Sequence, residues 1–374
     1  MVAAASLVVA VGTATGMLSA LDGRPGTDEA RPGLVSGSPS PEPDAPSAVP
    51  STSEPASPSP PASATASPAA KASAPPSPKK ASPVPPKVLL YRHPSSQVLD
   101  WLRDNPRDWR ADVIEARIAD RPAAVWFADY TPATVTSRVR AVTSDGAVQG
   151  RVPVVVAYAI PDRDCGGASQ GGAPDLGAYD AWIDRFAAGL GSGEVVVVLE
   201  PDAIAQSDCL SAAGRADRFA SLARAGRVLK AADPRARVYY DAGHSGWHPA
   251  AKQAALLKQA GAASAASSDG IFSNVSNFHT TSAEIAYDRQ VLAALAGPSS
   301  LGAVIDTSRN GNGAPPDGEW CDPAGRKIGR PPTLDTGEPK IDAYLWVKLP
   351  GESDGCKGTP GTFSPAYAYD LASP

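Results

Sequence analysis

Short runs of β-branched and aliphatic residues recur along residues 87–374 and alternate with alanine-rich stretches of helical periodicity. The first kind of run predicts strands and the second predicts helices. The predicted strands are Val88–Tyr91, Ala124–Phe127, Val152–Tyr158, Val195–Leu199, Val238–Tyr240, Gly270–Phe272, Ala303–Ile305 and Ala343–Val347; the predicted helices include Ala178–Gly189, Gly214–Ala231, Pro249–Gly261 and Ser282–Leu295. Apolar strands alternating with helices indicate a parallel sheet covered by helices, and seven to eight such units favour a closed or nearly closed (β/α) barrel, TIM-like in architecture.

Polar residues directly follow six consecutive predicted strands. The segments are "AIPDRDCGG", "EPD", "DAGHSGW", "SNVSNFH", "DTSRNGNG" and "KLPGESDGC". One or two of these acids could be helix N-caps, but that explanation fits six consecutive clusters poorly. Loops at the carboxyl ends of barrel strands form the active site of such folds, so we predict one site there.

The first 86 residues have a different composition from the rest of the chain. Residues 1–23 form a nearly uncharged apolar leader, which predicts a signal peptide or a weak membrane anchor. Residues 24–86 are rich in Pro, Ser and Ala and lack large apolar side chains, which predicts a disordered linker. We therefore expect a secreted or extracellular protein with a folded domain at 87–374, tethered to a membrane or cell wall if the leader is retained.

Charge and cysteine content narrow the function classes. The net charge is −5 with dispersed basic residues, so nucleic acid is not an expected partner. Four histidines show no metal-ligand spacing and no dinucleotide or phosphate-binding motif follows a strand, so we expect no metal and no cofactor. We also expect a monomer. Four cysteines in an exported chain predict two disulfides, with three connectivities open; free buried cysteines are the alternative.

Carboxylates gathered around one cleft suit two reaction classes, metal-assisted phosphoryl transfer and glycoside hydrolysis. The acids here follow different strands singly, whereas a metal site favours closely spaced pairs. Aromatic residues lie among them, and flat rings suit the apolar faces of sugars. The aromatic candidates are Trp126, Tyr158, Trp247, Trp320 and Trp346. The pattern favours a glycoside hydrolase.

Two long segments, "VVAYAIPDRDCGGASQGG" and "VVVLEPDAI", resemble the signature stretches of glycoside hydrolase family 6. Further segments resemble the family's blocks in the same order: "WFADYTP", "YYDAGHSGW", "NVSNF", "IDTSRNGNG", "EWCDP" and "KLPGESDGC". The resemblance spans nearly all of the predicted folded domain. It implies a distorted, partly open α/β barrel and an inverting endoglucanase or cellobiohydrolase acting on β-1,4-glucan.

The resemblance assigns roles to individual residues. Asp202 corresponds to the general acid, Asp164 to a neighbouring aspartate, Asp354 to the candidate base, Asp241 to an aspartate that tunes the acid, and Tyr158 to a ring beside the distorted sugar. The expected sugar contacts, including Trp247 from its place in a strand-end loop, are Trp126, His244, Trp247, Asn277, Trp320, Lys348 and Glu352. The implied disulfides are Cys165–Cys209 and Cys321–Cys356.

Several of these residues have structural alternatives. Asp241 could cap a helix, and His244 could be a structural histidine. We interpret Glu200 as a group that holds backbone or a neighbour, and Asp306 as a brace for Arg309, so neither joins the predicted catalytic set.

The predicted reaction is hydrolysis of internal β-1,4 bonds by single displacement with inversion. Acid and base should then lie roughly 6.5–9.5 Å apart to admit a water. Compact segments between the cysteines favour an open cleft and internal cutting. A cellobiohydrolase of the same family and a non-hydrolytic β-glucan-binding protein are the alternatives.

Overall fold

The computed structural model describes residues 88–167 and 169–374. The predicted leader (1–23) and linker (24–86) lie outside the described residues, and both stay predictions. Within the described part of the chain, no helix is both long and apolar enough to cross a membrane.

Nine strands form the framework of the part of the chain that the structure describes. In chain order they are β1 (Leu89–Leu90), β2 (Val125–Phe127), β3 (Arg151–Val152), β4 (Val154–Ala157), β5 (Val195–Leu199), β6 (Ala236–Asp241), β7 (Gly270–Ser273), β8 (Gly302–Asp306) and β9 (Ile341–Leu345). Seven of them pair in parallel in the order β2-β4-β5-β6-β7-β8-β9 and curl into a half-barrel. The predicted α/β class and the open, distorted barrel are confirmed.

Two predicted strands differ in detail. The predicted strand Val152–Tyr158 is divided at Pro153 into β3 and β4, since proline has no N–H to donate to a neighbouring strand. The predicted strand Val88–Tyr91 is the two-residue β1, which pairs with β3 in a separate small sheet. The other predicted strands all occur, with ends shifted by up to two residues.

Helices surround the sheet. They are α1 (Gln97–Asp104), α2 (Ala111–Ile114, continued by a π-helical turn Glu115–Ala119), α3 (Val135–Val148), α4 (Leu176–Ala187), α5 (Ala212–Ala232), α6 (Ala250–Gln259), α7 (Thr281–Leu295) and α8 (Pro365–Ala372). The predicted helices correspond to α4–α7. Asp175, Ser211 and Thr280 each accept a hydrogen bond from the N–H three residues on, and these caps begin α4, α5 and α7 slightly earlier than predicted.

Strand β5 is buried on both faces, as its unbroken apolar sequence predicts. Val196 and Val198 point into the half-barrel, where they join side chains from other strands. Val195, Val197 and Leu199 belong to a second apolar layer between the sheet and the helices. With no polar side chain on the strand body, chemistry is confined to its carboxyl end.

The half-barrel opens between its edge strands, β2 and β9. Ala124 N donates to Trp346 O at 2.9 Å, and the Trp126 indole Nε1 donates to Val347 O at 2.7 Å. A side chain therefore helps to join two edges that do not pair as strands.

Gly270 allows the close approach of β7 to β8. Its φ is +148°, and an added Cβ would lie 1.8 Å from Gly302 O. Because backbone cannot give way as a flexible side chain can, we expect Gly270→Ala to lower the free energy of unfolding by about 3 kcal/mol or more.

Urea denaturation followed by circular dichroism measures this loss. Gly193→Ala is the matched control, because its added Cβ meets only Ala147 Cβ at 3.4 Å. We expect that variant to change stability by less than about 0.5 kcal/mol. Equal stability of the two variants would contradict the packing described.

Candidate active site

A cleft of about 1380 Å³ lies at the carboxyl ends of the strands. It brings together every residue predicted to be catalytic or to contact sugar except Asp241. The aromatic candidate Trp346 is instead buried in an apolar cluster outside the cleft. The predicted residues along its walls are Trp126, Tyr158, Asp164, Asp202, His244, Trp247, Asn277, Trp320, Lys348, Glu352 and Asp354. Residues from distant parts of the sequence therefore meet in one place, as the strand-end pattern predicts.

Asp202 lies in the turn after β5, partly exposed to the cleft. Its φ of +69° is in the left-handed region, which Asp tolerates better than most residues. Burial, together with the charges of Asp241 and Asp164, raises the pKa of Asp202 to about 8, and Lys348 opposes this. The carboxyl group therefore keeps its proton at neutral pH.

Asp241 is buried at the end of β6, behind the turn that carries Asp202. Its carboxylate accepts hydrogen bonds from Ile204 N at 3.1 Å, Ala205 N at 2.8 Å and Gly243 N at 2.9 Å. Burial raises the pKa of Asp241, and these amide hydrogen bonds oppose the rise. The donors favour charge on Asp241, so the proton of this pair belongs on Asp202.

Asp164 lies in a 3₁₀ turn (Arg163–Gly166) after β4, and its Oδ2 accepts from Ser169 N at 2.7 Å and Ser169 Oγ at 2.9 Å. Ser169 Oγ is 2.9 Å from the Tyr158 hydroxyl, and the Arg163 guanidinium lies 4.2 Å from the centroid of the Tyr158 ring. Burial first, and then Asp202, raises the pKa of Tyr158. Tyr158 is thus a neutral ring joined to Asp164 through one serine.

Glu200 holds backbone groups, as we interpret it from the sequence. Its carboxylate is fully buried and accepts from Ala159 N at 3.0 and 2.9 Å, one distance to each oxygen, and from Ile160 N at 3.0 Å. Burial raises the pKa of Glu200 to about 7 against the opposing effect of these hydrogen bonds. It therefore ties the end of β5 to the segment after β4.

Asp354 forms ion pairs with Arg309 Nη1 at 2.7 Å and with Lys348 Nζ at 3.2 Å. The expectation that Asp306 braces Arg309 needs correction. Asp306 accepts from the backbone N–H groups of Ser276, Ser308 and Lys348, while Arg309 gives its ion pair to Asp354. Both residues are fully buried, so each charge needs a polar or charged partner. The closeness of Asp306 and Arg309 in the sequence did not reveal which partner each one has.

Glu352 lies beside this ion-pair cluster. Burial raises its pKa to about 7; Lys348 and Arg309 lower it and Asp354 raises it. Its proton is therefore easily gained or lost near neutral pH.

Aromatic and imidazole rings line the cleft walls. Trp126 packs edge-on against Tyr158 with centroids 5.3 Å apart, and His244 stacks on His279 at 4.3 Å and lies 5.3 Å from Trp247. Burial, then His279 and His248, lowers the pKa of His244 to about 3, so its ring is neutral. Trp320, on the loop between β8 and β9, is 57% exposed.

The structure contains the disulfides Cys165–Cys209 and Cys321–Cys356. Cys165 follows Asp164 directly, and Cys356 is two residues after Asp354. Each bridge therefore fixes a loop that carries a predicted catalytic aspartate.

Three further residues of the cleft region were not in the predicted set. Arg163 and Ser169 hold the Asp164 segment, and His279 covers His244. Arg163 and Ser169 lie inside the quoted segment "PDRDCGGASQ", which is the signal that could have indicated them. Among the described residues, no three His, Cys, Asp or Glu side chains are grouped to hold a metal ion.

Comparisons with known proteins agree on one family. The model of Glycosyl hydrolases family 6 matches residues 89–370. Endoglucanase 1 of Streptomyces sp. (strain KSM-9) is 54% identical over 284 residues, covering 76% of this chain and 77% of that protein. Endoglucanase A of Thermobispora bispora is 51% identical over 283 residues, covering 75% of this chain and 61% of that protein.

A solved structure shows the same likeness. The endoglucanase of Mycobacterium tuberculosis, in complex with methyl-cellobiosyl-4-deoxy-4-thio-β-D-cellobioside, aligns with a TM-score of 0.70 and 40% identity. The alignment covers 78% of this chain and 98% of that chain.

The hydrogen bonds of Glu200 predict the effect of Glu200→Gln. The amide NH₂ would face backbone N–H donors, so we expect the free energy of unfolding to fall by about 1–3 kcal/mol. If Glu200 only holds backbone, as we interpret it, the basic limb of the pH–activity profile should stay in place.

Thermal unfolding and kcat/KM against pH measure these two effects. Glu194→Gln, an exposed glutamate just before β5, is the matched control and should behave as the unsubstituted protein. Unchanged stability with a lost basic limb would instead identify Glu200 as a proton donor.

Proposed function

The chain belongs to family 6 of the glycosyl hydrolases, and on this premise we propose that it is an endo-β-1,4-glucanase. It cleaves internal bonds of cellulose or soluble β-glucan by single displacement with inversion. The observation that carries the proposal is an aspartic acid with a pKa of about 8 in a cleft of about 1380 Å³ that several carboxylates line.

Asp202 is the general acid in this proposal. Inverting hydrolysis needs a carboxylic acid that stays protonated until it donates to the glycosidic oxygen. Burial and two neighbouring acids, Asp241 and Asp164, supply that property. Asp164 is held towards the cleft by Ser169, and it helps to arrange the water and to keep the proton on Asp202.

Asp354 is the proposed base that removes a proton from the attacking water. It lines the same cleft as Asp202, and Arg309 and Lys348 hold its two oxygens. Its loop carries Glu352 as well, whose proton is available near neutral pH. This arrangement gives the water a fixed anionic acceptor.

The rings and polar groups along the cleft bind successive glucose units. Flat aromatic faces stack on the apolar faces of sugars, while neutral imidazole and amide groups hydrogen-bond their hydroxyls. Tyr158 lies where the acid and Asp164 meet, which suits a contact with the sugar distorted during reaction. The proposed contacts are Trp126, Tyr158, His244, Trp247, Asn277, Trp320, Lys348 and Glu352.

Internal cutting is supported by the relatives and by the loops. The two curated relatives described above bear the name endoglucanase. Each disulfide joins cysteines only 44 or 35 positions apart, so the segments bearing the cleft loops are short. The exposed ring of Trp320 supports a cleft that an internal stretch of polymer can enter.

We also propose an extracellular location, action as a monomer and, where the leader is retained, a tether to the membrane or cell wall. The two disulfides support the location, since such bonds persist in oxidising compartments.

Soluble cellulose tests the mode of cutting. We expect viscosity to fall much faster than reducing ends appear, because each internal cut shortens the polymer strongly. NMR of fresh products from cello-oligosaccharides should show the α anomer first. Slow viscosity loss with steady cellobiose release would indicate a cellobiohydrolase, and binding without products would indicate a glucan-binding protein.

Asp202→Ala tests the general acid. Loss of proton donation should reduce kcat on β-glucan by about 10²–10⁴-fold, while binding of cello-oligosaccharides is retained. In the unsubstituted enzyme kcat/KM should decline as pH rises through about 8, since Asp202 then loses its proton.

Kinetics over pH 5–10 and calorimetric binding check both outcomes. Asp112→Ala, at an exposed position of α2, is the control and should keep wild-type kinetics. Asp202→Ala with wild-type kcat would exclude Asp202 as the donor.

A further inference from the structure

Asp322 lies in the loop between β8 and β9, directly after Cys321, and is almost fully buried. All the hydrogen bonds that its carboxylate accepts come from one short loop, residues 353–357. The donors are Asp354 N at 2.7 Å, Ser353 Oγ at 2.6 Å, Lys357 N at 2.8 Å and Cys356 N at 3.0 Å. The loop is therefore folded around this carboxylate.

The contact between Asp322 and Asp354 is reciprocal. Asp354 N donates to Asp322 Oδ1, and Asp322 N donates to Asp354 Oδ2 at 3.1 Å. Burial acts to raise the pKa of Asp322, but hydrogen bonds from Ser353 and from the backbone hold it below its usual value. Asp322 is thus a charged acceptor, and hydrogen bonds to charged groups are the stronger kind.

The neighbouring disulfide does not replace this contact. Cys321–Cys356 joins the same two segments, but its bond reaches the loop two residues after Asp354. It supplies no acceptor for Asp354 N, whereas Asp322 contacts both the backbone and the side chain of Asp354.

We propose that Asp322 is a positioning residue that sets the direction of the Asp354 carboxylate. The proposal rests on the proposed function, because it takes Asp354 as the group that activates water. Asp354 Oδ2 is held between Asp322 N and Arg309, and its Oδ1 contacts Lys348.

The same segment carries Trp320, whose ring lines the cleft two residues before Asp322. A sugar that binds Trp320 therefore contacts the segment that orients Asp354. Asp322 therefore connects the segment that carries Trp320 to the loop that carries the proposed base.

Asp322→Asn removes the charge with little change of shape. An amide has one acceptor oxygen, so its NH₂ must face either Asp354 N or the amides of Cys356 and Lys357. Either orientation places donor against donor and displaces the loop. Since small errors in the placement of a catalytic group are costly, we expect kcat to fall about 10- to 100-fold with KM for cello-oligosaccharides nearly unchanged.

A double-mutant cycle separates positioning from general stability. If Asp322 acts through Asp354, adding Asp322→Asn to Asp354→Asn should change kcat by less than about two-fold. If the fold losses of kcat in the two single variants multiply in the double variant, the proposal is overturned. A wild-type enzyme that cleaves no β-glucan would overturn the proposed function instead, so the two failures are distinguishable.

Two controls accompany the cycle. Asp317→Asn makes the same change in the same loop, at an exposed residue that accepts one hydrogen bond from Glu319 N, and it should keep wild-type kcat. Ser353→Ala removes one donor to Asp322 and should give a smaller loss of kcat in the same direction. Unchanged kcat in Ser353→Ala would count against the loop contacts as the cause.

A crystal structure of Asp322→Asn tests the geometry independently of activity. If that variant does not fold, a crystal structure of Ser353→Ala serves instead. We expect residues 353–357 to move and the contact between Asp354 Oδ2 and Arg309 Nη1 to lengthen. An unmoved Asp354 carboxylate would overturn the positioning role.

Discussion

The site depends on one carboxyl group, Asp202, whose pKa is raised first by burial and then by the charges of Asp241 and Asp164. Like charges near a partly dehydrated carboxyl group raise its pKa, but only if the neighbours stay charged and cannot move away. Backbone amides favour charge on Asp241 and hold its carboxylate in place, and Ser169 holds the Asp164 carboxylate in place. The three acids lie at or after the ends of neighbouring strands of one sheet, and the fold thereby holds them close together.

Loops at the ends of parallel strands leave backbone N–H groups without ladder partners, and buried groups of this kind need acceptors. This chain fills the need with carboxylates. Glu200, Asp241, Asp306 and Asp322 each accept two or more backbone N–H groups. Acids therefore have two uses around the cleft: buried ones fold the loops, and those that reach the cleft surface are available for proton transfer.

Sequence reasoning predicted the strands and the cleft well because both follow from regular patterns. The apolar run of β5 and the acid after it are readable one residue at a time. The sequence does not show in the same way which buried charged residues pair with each other. Asp306 and Arg309 are close in sequence, yet Arg309 pairs with Asp354, since loop geometry decides which buried charges meet. Pro153 is visible in the sequence as the residue that divides a strand, but nothing in two segments of two residues each indicates that β1 pairs with β3.

The opening of the half-barrel between its edge strands, β2 and β9, has a thermodynamic consequence. Trp126 uses its indole N–H to join the edge strands through Val347 and also lines the cleft. A glucan that binds this ring and holds it in one position also favours the hydrogen bond between the edge strands. By thermodynamic linkage, the joined edge strands favour glucan binding to the same extent. Binding in the cleft and the joining of the edge strands are then coupled equilibria, so we expect the enzyme with bound polymer to unfold at a higher temperature than the free enzyme.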